Sequence, residues 1–235
     1  MPKIKILSIN MCHECKAANW ASALKPLNAD VIFLQEIDRY NIAELAARLS
    51  MLILNINHFK GIAVLIRNTI KIIDNSHVKF HGLVLYLAGI HLHDIPSVPH
   101  HIEQIPYKSS QIIPVNTPIS KILTMCKMRL PEVRQAVTQS GKFPAIIAGD
   151  FNEPSHLDIK LNLPVSQFMQ KNKFIDTYRV INKDAGFTWP AAGFYPKEPK
   201  QRIDFIYARG GFKPVSSRTI EMTSDHKVLL SILQF

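Results

Sequence analysis

Residues 145–152 read Ala-Ile-Ile-Ala-Gly-Asp-Phe-Asn, and the fold class follows from this stretch. The four apolar residues at its start predict a short buried strand. Gly149 permits a turn or a close approach of the backbone to a ligand. Asp150 and Asn152 stand two residues apart where the strand ends, so an extended chain points both side chains to the same side. The stretch therefore predicts an α/β protein with a polar site at the carboxyl edge of a sheet, where open α/β sheets bind ligands.

Strand-like runs recur along the 235 residues, and helix-period stretches lie between some of them. The predicted strands are 4–9, 31–35, 62–66, 83–90, 145–148, 202–208 and 228–233, and the predicted helices are 17–27, 42–49, 119–139 and 165–172. Because strands outnumber helices, the pattern favours a mixed sheet, or two packed sheets, with helices outside. Two proline-containing segments, 94–118 and 189–201, are predicted to be long loops. Because no linker-like segment divides the sequence, we expect a single domain over 1–235.

The composition narrows the possible partners. A formal net charge of +10, larger in residues 121–235 than before them, suits a polyanion such as nucleic acid, a phosphoinositide or an anionic membrane surface, although solubility alone can explain it. No run approaches the ~20 apolar residues of a membrane span. The N-terminus reads as a first strand and not as a signal peptide, so a cytoplasmic protein is expected, with signal-independent secretion left open.

Three cysteines, Cys12, Cys15 and Cys126, are too few for a disulfide framework. Cys12 and Cys15 have the spacing of a zinc half-site or a redox pair. No second Cys/His pair with finger-like spacing follows, so ordinary reduced cysteines are expected instead of structural zinc.

Polar residues follow several other apolar runs at the point where each run ends. Asn10, Glu36 and the pair His91 and His93 are placed in this way, and Asp204 interrupts an apolar run. Each residue alone is explained by a turn, a cap or a surface hydrogen bond, but a carboxylate inside a buried strand needs a partner. Together, carboxylates and an Asn suit a hard cation such as Mg²⁺. The glycine-rich loops of nucleotide-binding proteins and the serine elbow of α/β-hydrolases are absent from the sequence.

Six short blocks in order along the chain carry a family resemblance. They are Ile9-Asn10, Leu34-Gln35-Glu36, His91-Leu92, Gly149-Asp150-Phe151-Asn152, Arg202-Ile203-Asp204-Phe205 and Ser224-Asp225-His226. The chain resembles the endonuclease/exonuclease/phosphatase superfamily over residues 10–226. The resemblance implies a four-layer α/β sandwich of two packed mixed sheets flanked by helices. It also implies metal-assisted hydrolysis of phosphodiesters or phosphomonoesters, with Mg²⁺ or Mn²⁺ as the cofactor.

The resemblance also implies a role for each matching residue. Glu36 is expected to be the main metal ligand, with Asn10 beside it and Asp225 serving the same metal site. Asp150 is expected to orient or deprotonate the attacking water, and Asn152 to donate a hydrogen bond to the phosphate. His226 and His91 are expected to contact the phosphate, and Asp204 to hold the His226 ring. His93 can face the same side as His91; the phosphate contact is assigned to His91, and His93 is placed among the substrate-binding residues.

The proline-rich loop adds a predicted substrate-binding set. It contains Trp189, Lys197 and Lys200 and adjoins Arg202, and aromatic with basic residues suits a nucleic-acid strand or a phosphate headgroup. The alternative is a loop packed by its own aromatic residues. The leading hypothesis is a metal-dependent phosphodiesterase (endo- or exonuclease) acting on nucleic acid. The alternatives are a phosphatase or phospholipase acting on inositol phosphates or sphingomyelin-type headgroups, and a non-catalytic binding module.

Overall fold

The structure is a computed structural model that describes residues 1–12, 19–38, 40–107 and 113–235. Its strands are β1 (Lys3–Asn10), β2 (Val31–Gln35), β3 (Met51–Asn57), β4 (Ile62–Arg67), β5 (Lys71–Ile72), β6 (His77–Phe80), β7 (Leu83–His91), β8 (Ala145–Asp150), β9 (Ile175–Asp176), β10 (Asp204–Arg209), β11 (Lys213–Ile220) and β12 (Val228–Gln234). Its α-helices are α1 (Trp20–Leu24), α2 (Ile42–Leu49), α3 (Val98–Glu103), α4 (Ile119–Cys126), α5 (Leu130–Gln139) and α6 (Pro164–Lys171).

In the described chain the strands form two mixed sheets of six, in the orders β11-β12-β1-β2-β4-β3 and β5-β6-β7-β8-β10-β9. Each sheet has a parallel pair at its centre, β1 with β2 and β7 with β8, and antiparallel neighbours outside it. The prediction of two packed mixed sheets flanked by helices is confirmed.

The main core lies between the two sheets, where Ile4 and Phe33 of the first sheet share a cluster with Ile146 and Ile206 of the second. Helices α1 and α2 cover the outer face of the first sheet, and α5 and α6 cover that of the second. Because β2 and β8 are buried on both faces, their sequences are nearly continuous apolar runs instead of alternating ones.

Strand register brings the polar strand ends to one edge of the sandwich. Asn10 lies opposite Gln35, and Asp150 lies between His91 on one side and Asp204 on the other. Gly149, inside β8, must be glycine, because its φ is +149° and a Cβ would sit 1.8 Å from the carbonyl oxygen of Ile90.

Several elements differ from the sequence-based expectation. The predicted helix 119–139 is two helices joined by a 3₁₀ turn at Lys127–Arg129, and Pro131 lies in the first turn of α5. The segment 94–118 contains α3, and residues 108–112 lie outside the described residues. The described part of the predicted helix 17–27 is helical only over Trp20–Leu24, followed by a 3₁₀ turn. Strand β11 was not expected, because it is polar and partly exposed.

Two further expectations concern cysteines and membranes. Cys12 is disulfide-bonded, so the expectation of reduced cysteines is wrong for this residue, and Cys15 lies outside the described residues. Cys126 is a free buried thiol. Among the described residues, none of the helices has the length and apolar character that crossing a bilayer requires.

Candidate active site

Asn10, at the end of β1, connects the two sheets at the site. Its side-chain nitrogen donates to Glu36 Oε1 at 2.9 Å and to Asp150 Oδ2 at 3.2 Å, while its oxygen accepts from the Cys12 amide at 3.0 Å. These partners set the orientation of the amide, since an ionised carboxylate only accepts hydrogen bonds. Asn10 thus holds Glu36 and Asp150 side by side. Its predicted part in metal binding stays a prediction.

Glu36 follows β2 in a left-handed backbone conformation with φ of 54°. This conformation is uncommon for a residue with a side chain, and it costs roughly 1 kcal/mol or more. The turn presents the carboxylate to the opposite sheet, where His91 Nε2 lies 3.9 Å from Glu36 Oε1. The structure therefore brings together the predicted metal ligand and the predicted phosphate-binding histidine.

His226 is the buried imidazole of the site, and acidic side chains flank both of its nitrogens. Nδ1 lies 2.9 Å from Asp204 Oδ2, and Nε2 lies 3.7 Å from Asp150 Oδ2. The contact with Asp204 fixes the ring orientation and places a proton on Nδ1. Nε2 consequently faces the cavity beside Asp150.

The pKa values of this cluster depart from their ordinary ranges. Burial lowers the pKa of His226, but the Asp204 and Asp150 carboxylates outweigh it and raise that pKa to about 10. Burial and the neighbouring Asp204 charge raise the pKa of Asp150 to about 6. Near neutral pH the site therefore holds an imidazolium beside a carboxylate that is ready to accept a proton.

Two hydroxyl side chains that the sequence analysis did not assign a role support this cluster. Thr188 Oγ1 accepts from the backbone amides of Ile203 and Asp204 at 3.1 and 3.2 Å. Ser224 Oγ donates to the Asn10 carbonyl at 2.7 Å and accepts from the His226 amide at 3.1 Å. In the sequence, these two residues are marked only by their closeness to site residues, because an uncharged hydroxyl side chain does not stand out from the other Ser and Thr residues.

Asn152 and Asp225 complete the rim of the site. Asn152 has φ of 48°, its amide donates to Asp150 Oδ1 at 2.8 Å, and its side-chain nitrogen donates to the Leu92 carbonyl at 2.8 Å. Asp225 accepts from Trp189 Nε1 at 3.2 Å. One N–H of the Asn152 side chain remains for a ligand, since an amide nitrogen has two donors.

Some of these groups line a cavity of about 590 Å³, here called the site cavity. Of the predicted residues it includes Glu36, His91, His93, Asp150, Asn152, Trp189, Asp225 and His226. Additional acids (Asp94, Glu132, Glu198) and aromatic side chains (Tyr107, Tyr195) also line it. No Lys or Arg is among the described lining residues. The wall is thus acidic and aromatic, although the chain as a whole is basic.

The basic residues predicted to bind substrate lie elsewhere. Arg202 is buried and donates to Asp158 and Asp176 at 2.6–3.1 Å, so the structure does not bring it to the site cavity. Lys200 lines a second cavity. Lys197 is exposed on the loop and is not part of the site-cavity lining.

The donor set fits a hard divalent cation. Asp150, Asp204 and His226 can each place a ligand atom within 4.8 Å of the others, so this trio could hold a metal ion. Asp204 Oδ2 is already engaged with His226, however, whereas Asp204 Oδ1 is buried and has no hydrogen-bond partner. Glu36 and Asp150, held side by side by Asn10, offer carboxylate oxygens that face the cavity.

Comparison with known proteins places this geometry in context. The model of the Endonuclease/Exonuclease/phosphatase family matches residues 7–226. An uncharacterized protein of Caenorhabditis elegans is 31% identical over 109 residues, which cover 37% of this chain and 35% of that protein, so the match spans about a third of the relative's length.

Solved structures share the fold. TDP2 of D. rerio, complexed with a single-strand DNA product, is 19% identical with a TM-score of 0.70 and 99% coverage of both chains. Truncated TDP2 of Caenorhabditis elegans is 16% identical with a TM-score of 0.67, covering 99% of this chain and 98% of that chain. A family protein of Leptotrichia buccalis is 17% identical with a TM-score of 0.61, covering 99% and 100%. At these identities the likeness concerns the fold.

Proposed function

The chain belongs to the endonuclease/exonuclease/phosphatase family, whose members hydrolyse phosphoester bonds, and from this premise we propose that it is a divalent-metal-dependent phosphodiesterase acting on nucleic acid. The observation that carries the proposal is the convergence of Glu36, Asp150, Asn152 and His226 in one cavity, with Asp204 bonded to the His226 ring. These groups come from different strands and loops, and a binding module would not need all of them together.

Glu36 would hold Mg²⁺ or Mn²⁺, with Asn10 beside it and Asp225 on the same rim. Once bound, such an ion neutralises phosphate charge and stabilises the leaving oxygen. Asn10 keeps the carboxylates of Glu36 and Asp150 adjacent through its 2.9 and 3.2 Å bonds. Without those bonds the like charges of Glu36 and Asp150 would separate.

The protein groups divide the remaining work. Asp150, with a pKa raised to about 6 by burial and by Asp204, accepts the proton of the attacking water. His226 donates from Nε2 to a phosphate oxygen and stabilises the charge that develops there, while Asp204 fixes its ring through Nδ1. Asn152 and His91 contribute hydrogen bonds to the same phosphate. Each group is expected to contribute roughly 10²–10⁴ in rate.

Nucleic acid is the substrate we favour. The net charge of +10 suits a polyanion. TDP2 of D. rerio, which shares this fold over 99% of both chains, was solved with a single-strand DNA product.

A second substrate class is favoured by one observation. The site cavity has acidic Asp94 and Glu198 and aromatic Tyr107, Trp189 and Tyr195 on its wall, and no described Lys or Arg. Aromatic faces and carboxylates recognise quaternary ammonium groups. A phosphodiester with a cationic headgroup, as in sphingomyelin, is therefore the alternative, and an inositol phosphate fits this wall less well.

The test is metal-dependent hydrolysis of bis-(p-nitrophenyl) phosphate, single- and double-stranded oligonucleotides, RNA and sphingomyelin. Glu36→Gln and His226→Gln should each lose at least 100-fold in kcat/KM on every substrate that the wild type cuts. Glu44→Gln and His58→Gln are matched controls, because both residues are exposed and neither lines the site cavity. Hydrolysis that survives Glu36→Gln would refute the assignment of the site. Cleavage of sphingomyelin with inert nucleic acids would select the alternative substrate.

A further inference from the structure

The described lining of the site cavity lacks the lysines and arginines that a polyanionic substrate needs to neutralise its phosphates. Affinity for a nucleic-acid strand comes mainly from such cations. A second cavity, of about 530 Å³, adjoins the site cavity, and Gln201 lines both. We call this space the flanking cavity.

A thin wall separates the two cavities. The backbones of Trp189 and Gln201 pair there through hydrogen bonds of 2.7 and 3.0 Å. Trp189 lines the site cavity, whereas Phe187 and Lys200, one or two residues away on the same two segments, line the flanking cavity. The two cavities therefore lie on either side of this backbone pair, and a strand that crosses the pair would reach the flanking cavity.

The flanking cavity is basic, and part of its charge is available. Arg179 and Arg202 line it but are ion-paired with Asp158. Lys183 and Lys200 also line it, are exposed, and have no ion pair with any described carboxylate. These two ammonium groups can bind a phosphate without first breaking an existing pair.

The acids of the flanking cavity only partly offset this charge. Asp158 is held by the two arginines, whereas Asp184 accepts from the Tyr178 hydroxyl at 3.0 Å and keeps its charge, so four basic side chains face three acidic ones on the described wall. Glu103 is the remaining acid on the described wall, and it lies at the end of α3.

Apolar side chains line the same cavity and are exposed. Phe187 is 38% exposed, Ile102 is 46% and Leu157 is 50%. Large apolar groups grouped around a basic cavity mark a binding surface, whereas scattered single ones need no explanation. An exposed aromatic face beside lysines is the combination that stacks an unpaired base and holds its phosphate.

We propose that the flanking cavity binds the nucleotide next to the scissile phosphodiester of a single strand. Its base stacks on Phe187, and its phosphate lies between Lys183 and Lys200. This inference rests on the proposed function and specifies its substrate as a strand with an unpaired base at that position. A paired base would not expose its face to Phe187.

The test uses three variants of the full chain: Phe187→Ala, the double variant Lys183→Gln/Lys200→Gln, and the control Lys71→Gln/Lys79→Gln. The control removes the same charge from exposed lysines that line neither cavity. Fluorescence anisotropy measures binding of a labelled single-stranded 12-mer in EDTA at several salt concentrations. Hydrolysis of the same 12-mer and of bis-(p-nitrophenyl) phosphate is then measured with Mg²⁺ or Mn²⁺.

Phe187→Ala should weaken 12-mer binding by about fivefold or more, which is the loss expected for one stacked base. The double lysine variant should weaken it and lower the slope of log K against log salt by up to about 1.4, since two phosphate contacts on a single strand contribute about 0.7 each. Hydrolysis of bis-(p-nitrophenyl) phosphate, which is too small to reach the flanking cavity, should stay at the wild-type value.

Three results would overturn the inference, and they can be told apart. If the wild type cuts the 12-mer and the three variants bind and cut it alike, the flanking cavity has no role and the proposed function stands. If the wild type cuts bis-(p-nitrophenyl) phosphate but neither binds nor cuts the 12-mer, the nucleic-acid assignment fails and the inference fails with it. An equal loss in the control would also overturn it, because general charge would then explain the binding.

Discussion

Replacing Asp204 with Asn tests how the site holds its imidazolium. Asp204 is fully buried, and its Oδ2 lies 2.9 Å from His226 Nδ1. The variant preserves the shape of the side chain and removes its charge. Burial alone lowers the pKa of His226, so its value of about 10 depends on the Asp204 and Asp150 carboxylates.

The magnitude follows from the charge that is lost. A single opposite charge at this distance shifts a pKa by about 1–3 units, and each unit corresponds to about 1.4 kcal/mol. Since Asp204 is the stronger of the two carboxylate influences, we expect the pKa of His226 to fall by about 2–3 units in Asp204→Asn. In the wild type this pairing contributes stability that is fully present below pH 6.5 and is lost as the pH rises through about 10. In Asp204→Asn the loss of stability also begins near pH 6.5, but it is complete at a lower pH than in the wild type.

The assay is an NMR titration of the His226 ring in the metal-free protein, followed by a pH–rate profile with metal. The alkaline fall in rate should move to lower pH by the same 2–3 units, because the imidazolium disappears earlier. Asp225→Asn is the control for the titration, since Asp225 acts more weakly on His226 than Asp204 does. A pKa of His226 that stays within about half a unit of wild type in Asp204→Asn would refute the reasoning.

Three further variants test other parts of the structure. Asp150→Asn should abolish hydrolysis yet raise the free energy of unfolding at pH 7.5 by about 1–3 kcal/mol, measured by urea titration. The pKa of Asp150 is raised in the folded protein, so the wild type loses stability as the pH rises from 3.8 through about 6, and the neutral Asn avoids this loss. A variant less stable than the wild type would contradict this. Gly149→Ala should destabilise the protein by about 2–4 kcal/mol, because its Cβ would meet the Ile90 carbonyl at 1.8 Å. The control Gly82→Ala, which has open space around the new Cβ, should lose far less stability. Equal melting temperatures for the two variants would contradict this prediction. Arg202→Met should lower stability by about 3–5 kcal/mol and leave the KM for bis-(p-nitrophenyl) phosphate unchanged; a raised KM at wild-type stability would instead place this guanidinium on the substrate.

The sequence predicts those parts of the fold in which burial determines residue type. Strands β2 and β8 are buried on both faces and appear as uninterrupted apolar runs. Strand β11 (Lys213–Ile220) lies at a sheet edge, where exposed polar residues are tolerated, so no apolar pattern marks it. The break between α4 and α5 was missed because apolar periodicity continues across it.

The candidate site was predictable where strand register aligns strand ends. Asp150 and its neighbours in the adjacent strands, His91 and Asp204, meet because each ends or begins a strand at the same edge. Loop residues follow no such rule. Arg202 and Lys200 are close in sequence to Trp189, yet neither reaches the site cavity, because the side chains along this segment point to different cavities.

The distribution of charge explains why a metal belongs to the proposed mechanism. The chain carries a net charge of +10, but the site cavity concentrates acids and contains no described Lys or Arg. A phosphodiester entering it would meet the carboxylates of Glu36 and Asp150, with the imidazolium of His226 as the nearest opposing charge. Coulomb repulsion of this kind is poorly screened in a buried site. A divalent cation held by Glu36 would supply positive charge where the phosphate enters, so turnover should depend on it.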